Sequence, residues 1–267
     1  VDGKKVGYLM YDSFTADYDP QLNDAFGEFL AAGVTDLILD LRYNGGGSVR
    51  TATDLASMIT GQFPGELFMK EQWNEKYQAY FESNEERKES LLNRFNTKIR
   101  SGEDINSLNL SRVFVLTTLR SASASELIIN GLKPYIDVIQ VGDKTTGKFT
   151  ASVTLYDSPN FGRANAKTTH TYAIQPLVLK SVNADGVSDY VNGLPPDYEA
   201  VESFRDLGIL GDPSETLLKV ALDVIRGNRI SLPAVIEEFK FVGESEMFEP
   251  VYQKMYIDEV PPLISQE

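Results

Sequence analysis

An α/β domain with a largely parallel sheet is the fold this sequence predicts, and two observations carry it. Short apolar runs alternate with amphipathic helical segments in a repeated β-loop-α order. Glycines or Asx-Pro pairs stand where one element hands over to the next.

In chain order, Val6-Gly7-Tyr8-Leu9-Met10 reads as a short strand. Asp19-Pro20 then caps a helix that carries Leu22, Ala25, Phe26, Phe29 and Leu30 at helical spacing and stops at Gly33. Leu37 to Leu41 is a continuous apolar run interrupted only by Asp40, as expected of a strand covered on both faces. The triplet Gly45-Gly46-Gly47 follows, and after it a helix with Ala52, Leu55, Ala56 and Ile59 on one side. Val113 to Leu116 is the next buried strand, a helix runs from about Ala124 to Lys133 and ends at Pro134, and Ile136 to Val141 is one more strand.

Two segments break this rhythm. Residues 70–108 are highly charged with interleaved aromatics, and read as a helical insertion between core strands; Trp73, Tyr77, Tyr80 and Phe81 would suit a lid or a substrate-contacting arm. From about 149 the pattern turns antiparallel, with strands over Ser152–Tyr156 and Thr169–Gln175. A helix over 213–226 has Leu217, Leu218, Ala221, Leu222 and Ile225 on one face and Gly227 as its stop. The reading is therefore a catalytic-sized domain over 1–230, with the insertion at about 70–108, followed by a loosely packed acidic extension over 231–267.

Composition narrows the function classes. A formal charge of −14 in 267 residues argues against nucleic acid or an anionic membrane as partner. No apolar run of about 18 residues exists to span a membrane. The absence of cysteine removes disulfides and thiolate zinc sites, and no metal-ligand spacing stands out. The start Val1-Asp2-Gly3, without an initiator methionine, suggests a mature or excised piece. With one histidine and no cysteine, few nucleophiles are open to a hydrolase; a serine activated by a lysine is one of them.

Three segments carry that chemistry. In SASASE, residues 121–126, Ser123 lies where a strand feeds a helix N-terminus, whose first N–H groups lack intrahelical acceptors. The Ala124 N–H is placed to face an oxyanion; the competing reading makes Ser123 and Glu126 a capping box only. Lys148 stands 25 residues later between Gly147 and Phe149; as a base it must be neutral, which burial promotes, and otherwise it is a surface charge. Asp40 to Gly47 places glycines after a buried strand, able to present bare N–H groups to a ligand; it matches neither phosphate-binding glycine pattern, so nucleotide binding is poorly supported.

Together these segments resemble the serine–lysine C-terminal processing peptidases, or tail-specific proteases, over roughly residues 6–60 and 110–200. The resemblance rests on Asp40-Leu41-Arg42-x-Asn44-x-Gly46-Gly47, Ala122-Ser123-Ala124-Ser125-Glu126 and Gly142-Asp143-x-Thr145-x-Gly147-Lys148. It implies a crotonase-like (ClpP/crotonase-type) spiral ββα core, Ser123 as nucleophile and Lys148 as general base. It also implies an oxyanion hole from the backbone of Ala124 and of Gly46, with Gly45 and Gly47 beside it. Ser123 is preferred over Ser121 and Ser125 because the family keeps this 25-residue spacing. Polypeptide substrates, no cofactor, no metal, and the bacterial cell envelope or periplasm follow from the same resemblance.

Two departures stand out. The lysine-orienting glutamine of many relatives is missing from Lys148-Phe149-Thr150-Ala151-Ser152, unless Ser152 replaces it, and the family's PDZ module has no counterpart within these 267 residues, which leaves room for one before Val1. They sustain a rival, a catalytically inactive peptide-binding domain on the same fold; an acyl-CoA enzyme of the crotonase type is a second. No G-x-S-x-G elbow surrounds a serine, so His170 reads as structural. The sequence leaves the oligomeric state open.

Overall fold

A computed structural model of the chain describes residues 3–230, 242–245, 247–248 and 252–263. The elements, in order, are β1 (Val6–Met10), α1 (Asp19–Ala32), β2 (Asp36–Asp40), β3 (Gly47–Ser48), α2 (Val49–Thr60), β4 (Leu67–Trp73), α3 (Glu75–Phe81), α4 (Glu85–Glu89), β5 (Leu92–Arg94) and β6 (Arg112–Thr117). There follow α5 (Ala124–Leu132), β7 (Asp137–Gly142), β8 (Thr150–Val153), β9 (Leu155–Tyr156), β10 (Ala173–Ile174), β11 (Leu177–Val182), β12 (Tyr198–Glu199), α6 (Thr216–Arg226) and β13 (Met255–Ile257).

The parallel sheet runs β1-β2-β6-β7-β12, every neighbouring pair parallel. Alternation along its strands divides the core in two. Ile38, Phe114, Leu116 and Val141 pack on one face with Leu217, Leu218, Ala221 and Ile225 of α6. Leu37, Leu39, Val113 and Val115 point the other way, into a larger core with Leu55 and Ile59 of α2 and Leu127 and Ile128 of α5. Both faces are covered, which is why β2 and β6 read as nearly unbroken apolar runs.

A second sheet of six strands, order β3-β13-β8-β11-β4-β5, contributes Phe68, Met69, Ala151, Val153, Leu179 and Met255 to the same larger core. Its β11 is antiparallel to both β8 and β4, as the change of pattern near residue 149 predicts. The fold is mixed α/β, with parallel and antiparallel sheets.

Three expectations are corrected. The segment 70–108 is less helical than predicted: β4 extends to Trp73, β5 pairs with it, and only the short α3 and α4 are helices. Alternation in Phe68-Met69-Lys70-Glu71-Gln72-Trp73 puts Met69, Glu71 and Trp73 inside, so the aromatic Trp73 serves the core, with Tyr77 and Phe81 stacked against it. The strand expected over Thr169–Gln175 shrinks to β10, two residues paired with β9. Much of the extension expected over 231–267 lies outside the described residues, but β13 is not loosely packed: it is parallel to both β3 and β8, and Met255 is fully buried.

Candidate active site

β2, β6 and β7 are adjacent and parallel, so the loops leaving their carboxyl ends meet at one edge of the sheet. Those loops are the glycine segment, the SASASE turn and the lysine loop. Strand order brings together segments as far apart in the chain as the glycine segment and Lys148.

The glycine segment is laced to the serine turn. Asn44 O accepts the Ala122 N–H at 3.1 Å and the Ser125 hydroxyl at 2.9 Å, and the Ser121 hydroxyl donates to Leu41 O at 2.7 Å. Asn44 Nδ2 donates to Tyr11 O at 2.8 Å. Beneath it lies the fully buried guanidinium of Arg42, in contact with Asp40 and Glu215 at 2.8 Å and Glu202 at 2.9 Å.

Of the three serines, two hydroxyls are thus committed to holding the loop. Ser123 Oγ, fully buried, makes no hydrogen bond among the described residues. Its backbone is at φ 66°, ψ −113°, a region a residue with a Cβ occupies only under strain. The turn thereby sets Ser123 at the N-terminus of α5. Ser123 and Glu126 are arranged as a capping box, with Ser123 N–H donating to Glu126 Oε2 at 2.8 Å, but the serine hydroxyl beside the Glu126 N–H does not reach hydrogen-bond geometry.

Gly46 sits against this residue. At φ 110°, a Cβ added there would come 2.6 Å from Ser123 Cβ and 2.9 Å from the Ala124 nitrogen, so only glycine fits. Ala124 N–H lies beside Gly46 at the start of α5, whereas Gly46 N–H is donated to Asn44 Oδ1 at 2.8 Å. Gly45 and Gly47 flank it, Gly45 approaching the Gln253 backbone and Gly47 the Phe14 carbonyl.

Lys148 reaches the site from the β7 loop. Glu126, fully buried, holds that loop by three hydrogen bonds and the serine turn by a fourth: Oε2 accepts the N–H of Ser123 and of Lys148, each at 2.8 Å, and Oε1 accepts Gly147 N–H at 2.6 Å and the Thr145 hydroxyl at 2.5 Å. The Lys148 amine does not hydrogen-bond Ser123; Nζ donates to the main-chain carbonyl of Gln253 at 2.6 Å. Burial, aided by the nearby Lys254 charge and opposed by Glu126, lowers its pKa to about 8.

Ser152 does not take the place of the missing glutamine: its hydroxyl donates to Met255 O at 3.2 Å. His170 lies elsewhere, its ring against Asp157 at 3.3 Å and accepting the Tyr172 N–H. Among the described residues no group of three or more acids or histidines is placed to hold a metal ion, and no helix is long and apolar enough to cross a membrane. Sequence reasoning missed the roles of Glu126 and Gln253. The first was legible only as a cap; the second, 105 residues from Lys148, left no local signal.

The model of peptidase family S41 matches residues 5–199, nearly the whole span from β1 to β12 and all three loops. The chain belongs to peptidase family S41. It is 24% identical over 258 residues to the "Probable CtpA-like serine protease" of Staphylococcus aureus (strain MRSA252), covering 94% of this chain and 44% of that protein. The same name from strain N315 matches at 25% over 252 residues, 92% of this chain and 43% of that protein. The S41 chain described here therefore spans less than half the length of these curated relatives. Among solved structures, the "Putative S41 protease from Bacteroides fragilis NCTC 9343" superposes with a TM-score of 0.71 at 34% identity, covering 85% of this chain and 55% of that one. The photosystem II D1 C-terminal processing protease shares the fold at a TM-score of 0.50 and 20% identity, over 73% of this chain and 42% of that one. The expected resemblance to C-terminal processing peptidases is shown.

Proposed function

We propose that this chain is the catalytic part of a serine endopeptidase that cleaves polypeptides near their C-termini through an acyl-enzyme. The observation that carries the reading is the isolation of one hydroxyl: Ser121 and Ser125 are tied to backbone, while Ser123 Oγ is unpartnered at a strained turn beside Ala124 N–H.

Ser123 Oγ attacks the scissile carbonyl carbon as Lys148, in its neutral form, takes the hydroxyl proton. The negative oxygen of the tetrahedral intermediate is met by Ala124 N–H, and by Gly46 N–H once Asn44 releases it. Lys148 then gives its proton to the departing amine, accepts another from the water that attacks the ester, and passes it to Ser123 Oγ as the acyl–oxygen bond breaks and the acid product leaves. Glu126 ties the backbones of Ser123 and Lys148 together, and in this reading the Lys148 amine leaves the Gln253 carbonyl to reach Ser123. Ser152 acts on the C-terminal segment rather than on Lys148, which supports a dyad.

Residues 1–230 form the catalytic unit in this reading, on a crotonase-type core, with a location in the bacterial cell envelope or periplasm following the family resemblance. The rival reading, an inactive peptide-binding domain, draws on the absence of a Ser123–Lys148 hydrogen bond. A fluorophosphonate probe separates the two. Covalent labelling of Ser123, read by mass spectrometry, and loss of peptide cleavage in folded Ser123→Ala and Lys148→Ala proteins are expected. Full cleavage by either variant overturns the reading.

A further inference from the structure

The path of the C-terminal segment through the site has a consequence for regulation. Ser123 is fully buried, so no polypeptide carbonyl can meet its Oγ in this arrangement. The backbone of Gln253 and Lys254 runs across the glycine loop at contact distance. A Cβ on Gly45 would meet Gln253 N at 2.9 Å, and one on Gly46 would meet Lys254 O at 2.8 Å and Ser123 Cβ at 2.6 Å. The Gln253 carbonyl takes the amine of Lys148 at 2.6 Å. The residues that follow enter the sheet as β13, between β3 of the glycine loop and β8 of the lysine loop.

The anchors are unequal. Beyond the site the segment is firmly held: Met255 is fully buried, and Asp258 accepts Arg100 at 2.7 Å and the Ser48 hydroxyl at 2.8 Å. Over the site itself the ties are the Lys148 contact, a bond from Lys254 Nζ to Gln175 Oε1 at 2.5 Å, and the Tyr252 hydroxyl donating to Glu244 Oε1 at the outer end. Gln253 holds this course at φ 46°, a conformation unfavourable for a residue with a Cβ. A strained crossing pivoting on a firm anchor can swing away while the sheet stays intact.

We propose that Tyr252–Lys254 is a built-in strap that places a main-chain carbonyl of the chain itself on Lys148, closes over Ser123, and must lift before a polypeptide substrate can enter. The strap rests on the assignment of Ser123 and Lys148 as the catalytic pair. It acts twice: it covers the nucleophile, and it engages the lysine as a hydrogen-bond donor, an interaction strongest for the charged amine that cannot serve as base. An incoming extended polypeptide competes for the same backbone contacts, in the manner of strand addition to a sheet edge.

The rate of Ser123 labelling by a fluorophosphonate tests this on the whole chain. Proline forces φ to about −65° and forbids the observed crossing, so Gln253→Pro is expected to label about tenfold faster than the unaltered protein. Gln175→Ala removes the tie to Lys254 without touching the crossing, and is expected to label about three- to fivefold faster. Thermal melting of both variants identifies any loss of fold. Equal labelling rates in folded Gln253→Pro, Gln175→Ala and unaltered protein overturn the strap alone. Absence of labelling in all three, with the fold intact, overturns the Ser123 assignment and the strap with it.

Discussion

Glu126 accepts the backbone N–H of Lys148 on the same carboxylate oxygen that accepts the N–H of Ser123, both at 2.8 Å. One buried side chain thereby fixes the spacing between two loops that leave different strands. With Thr145 and Gly147 on its other oxygen, it satisfies four donors.

Glu126→Gln replaces one of those oxygens by an amide NH2, so two buried donors lose their acceptor whichever way the amide turns. Stability is expected to fall by roughly 2–4 kcal/mol. In peptide cleavage kcat is expected to fall while KM holds, because the carboxylate positions the pair and does not face substrate. Thermal melting and steady-state kinetics check both, and an unchanged kcat would contradict the role.

Lys148 must lose a proton to act as base, and its pKa is lowered to about 8, chiefly by burial. The rate of acylation is therefore expected to climb as pH rises through about 8 and to level off above it. The Lys254 charge contributes to that lowering. Because Lys254 stands beside Lys148 with the strap down, Lys254→Ala should move the rising limb to higher pH when acylation is measured at subsaturating substrate, where the profile reports the free chain. A pH–rate profile of single-turnover acylation reads the midpoint; a rate independent of pH from 6.5 to 9.5, a range of about 1.5 units either side of that midpoint, would refute the base assignment.

Ser123 is held at φ 66°, ψ −113°, where glycine carries no Cβ penalty. Ser123→Gly should abolish cleavage and yet melt higher than Ser123→Ala, by about 1–2 kcal/mol in stability. Denaturant unfolding of the two variants measures the strain the turn stores at Ser123. Equal stabilities would mean that the turn is relaxed.

Arg42 is fully buried among Asp40, Glu202 and Glu215. Arg42→Met strands these carboxylates and is expected to destabilise the fold by about 3–5 kcal/mol. Burial opposes the ionisation of Glu215, but hydrogen bonds from Arg42 and from the N–H groups of Leu218 and Leu217 outweigh it and hold its carboxyl below the ordinary range. Its stabilisation is therefore in place above the unfolded carboxyl pKa of about 4.3–4.5 and is lost as pH falls through the lower folded value. Stability measured between pH 7 and pH 3 should drop less in the variant than in the unaltered chain.

The alternation of apolar runs with helical faces reported the parallel sheet and both its coverings, because β2 and β6 must be apolar on each side and α6 on one. The three loops were legible for the same reason: each follows a recognisable strand, and glycine, serine and lysine there have few structural uses in common. The antiparallel part was less legible. Strands of two residues such as β9 and β10 are too short for any period to register.

By itself, then, the sequence determined the β-loop-α order, the three loops that meet at one edge of the sheet, and Ser123 and Lys148 as the pair to examine. Local pattern suffices where a property repeats along a strand or helix, or where a turn demands glycine. Only the tertiary structure decided that Ser123 is the unpartnered serine, that Glu126 ties it to Lys148, that Gly46 N–H is engaged by Asn44, and that the Gln253 carbonyl rests on the Lys148 amine. Those are contacts between backbone and side-chain atoms distant in the chain, chosen by strand order and close packing, and such contacts leave no periodic trace in the residues that make them.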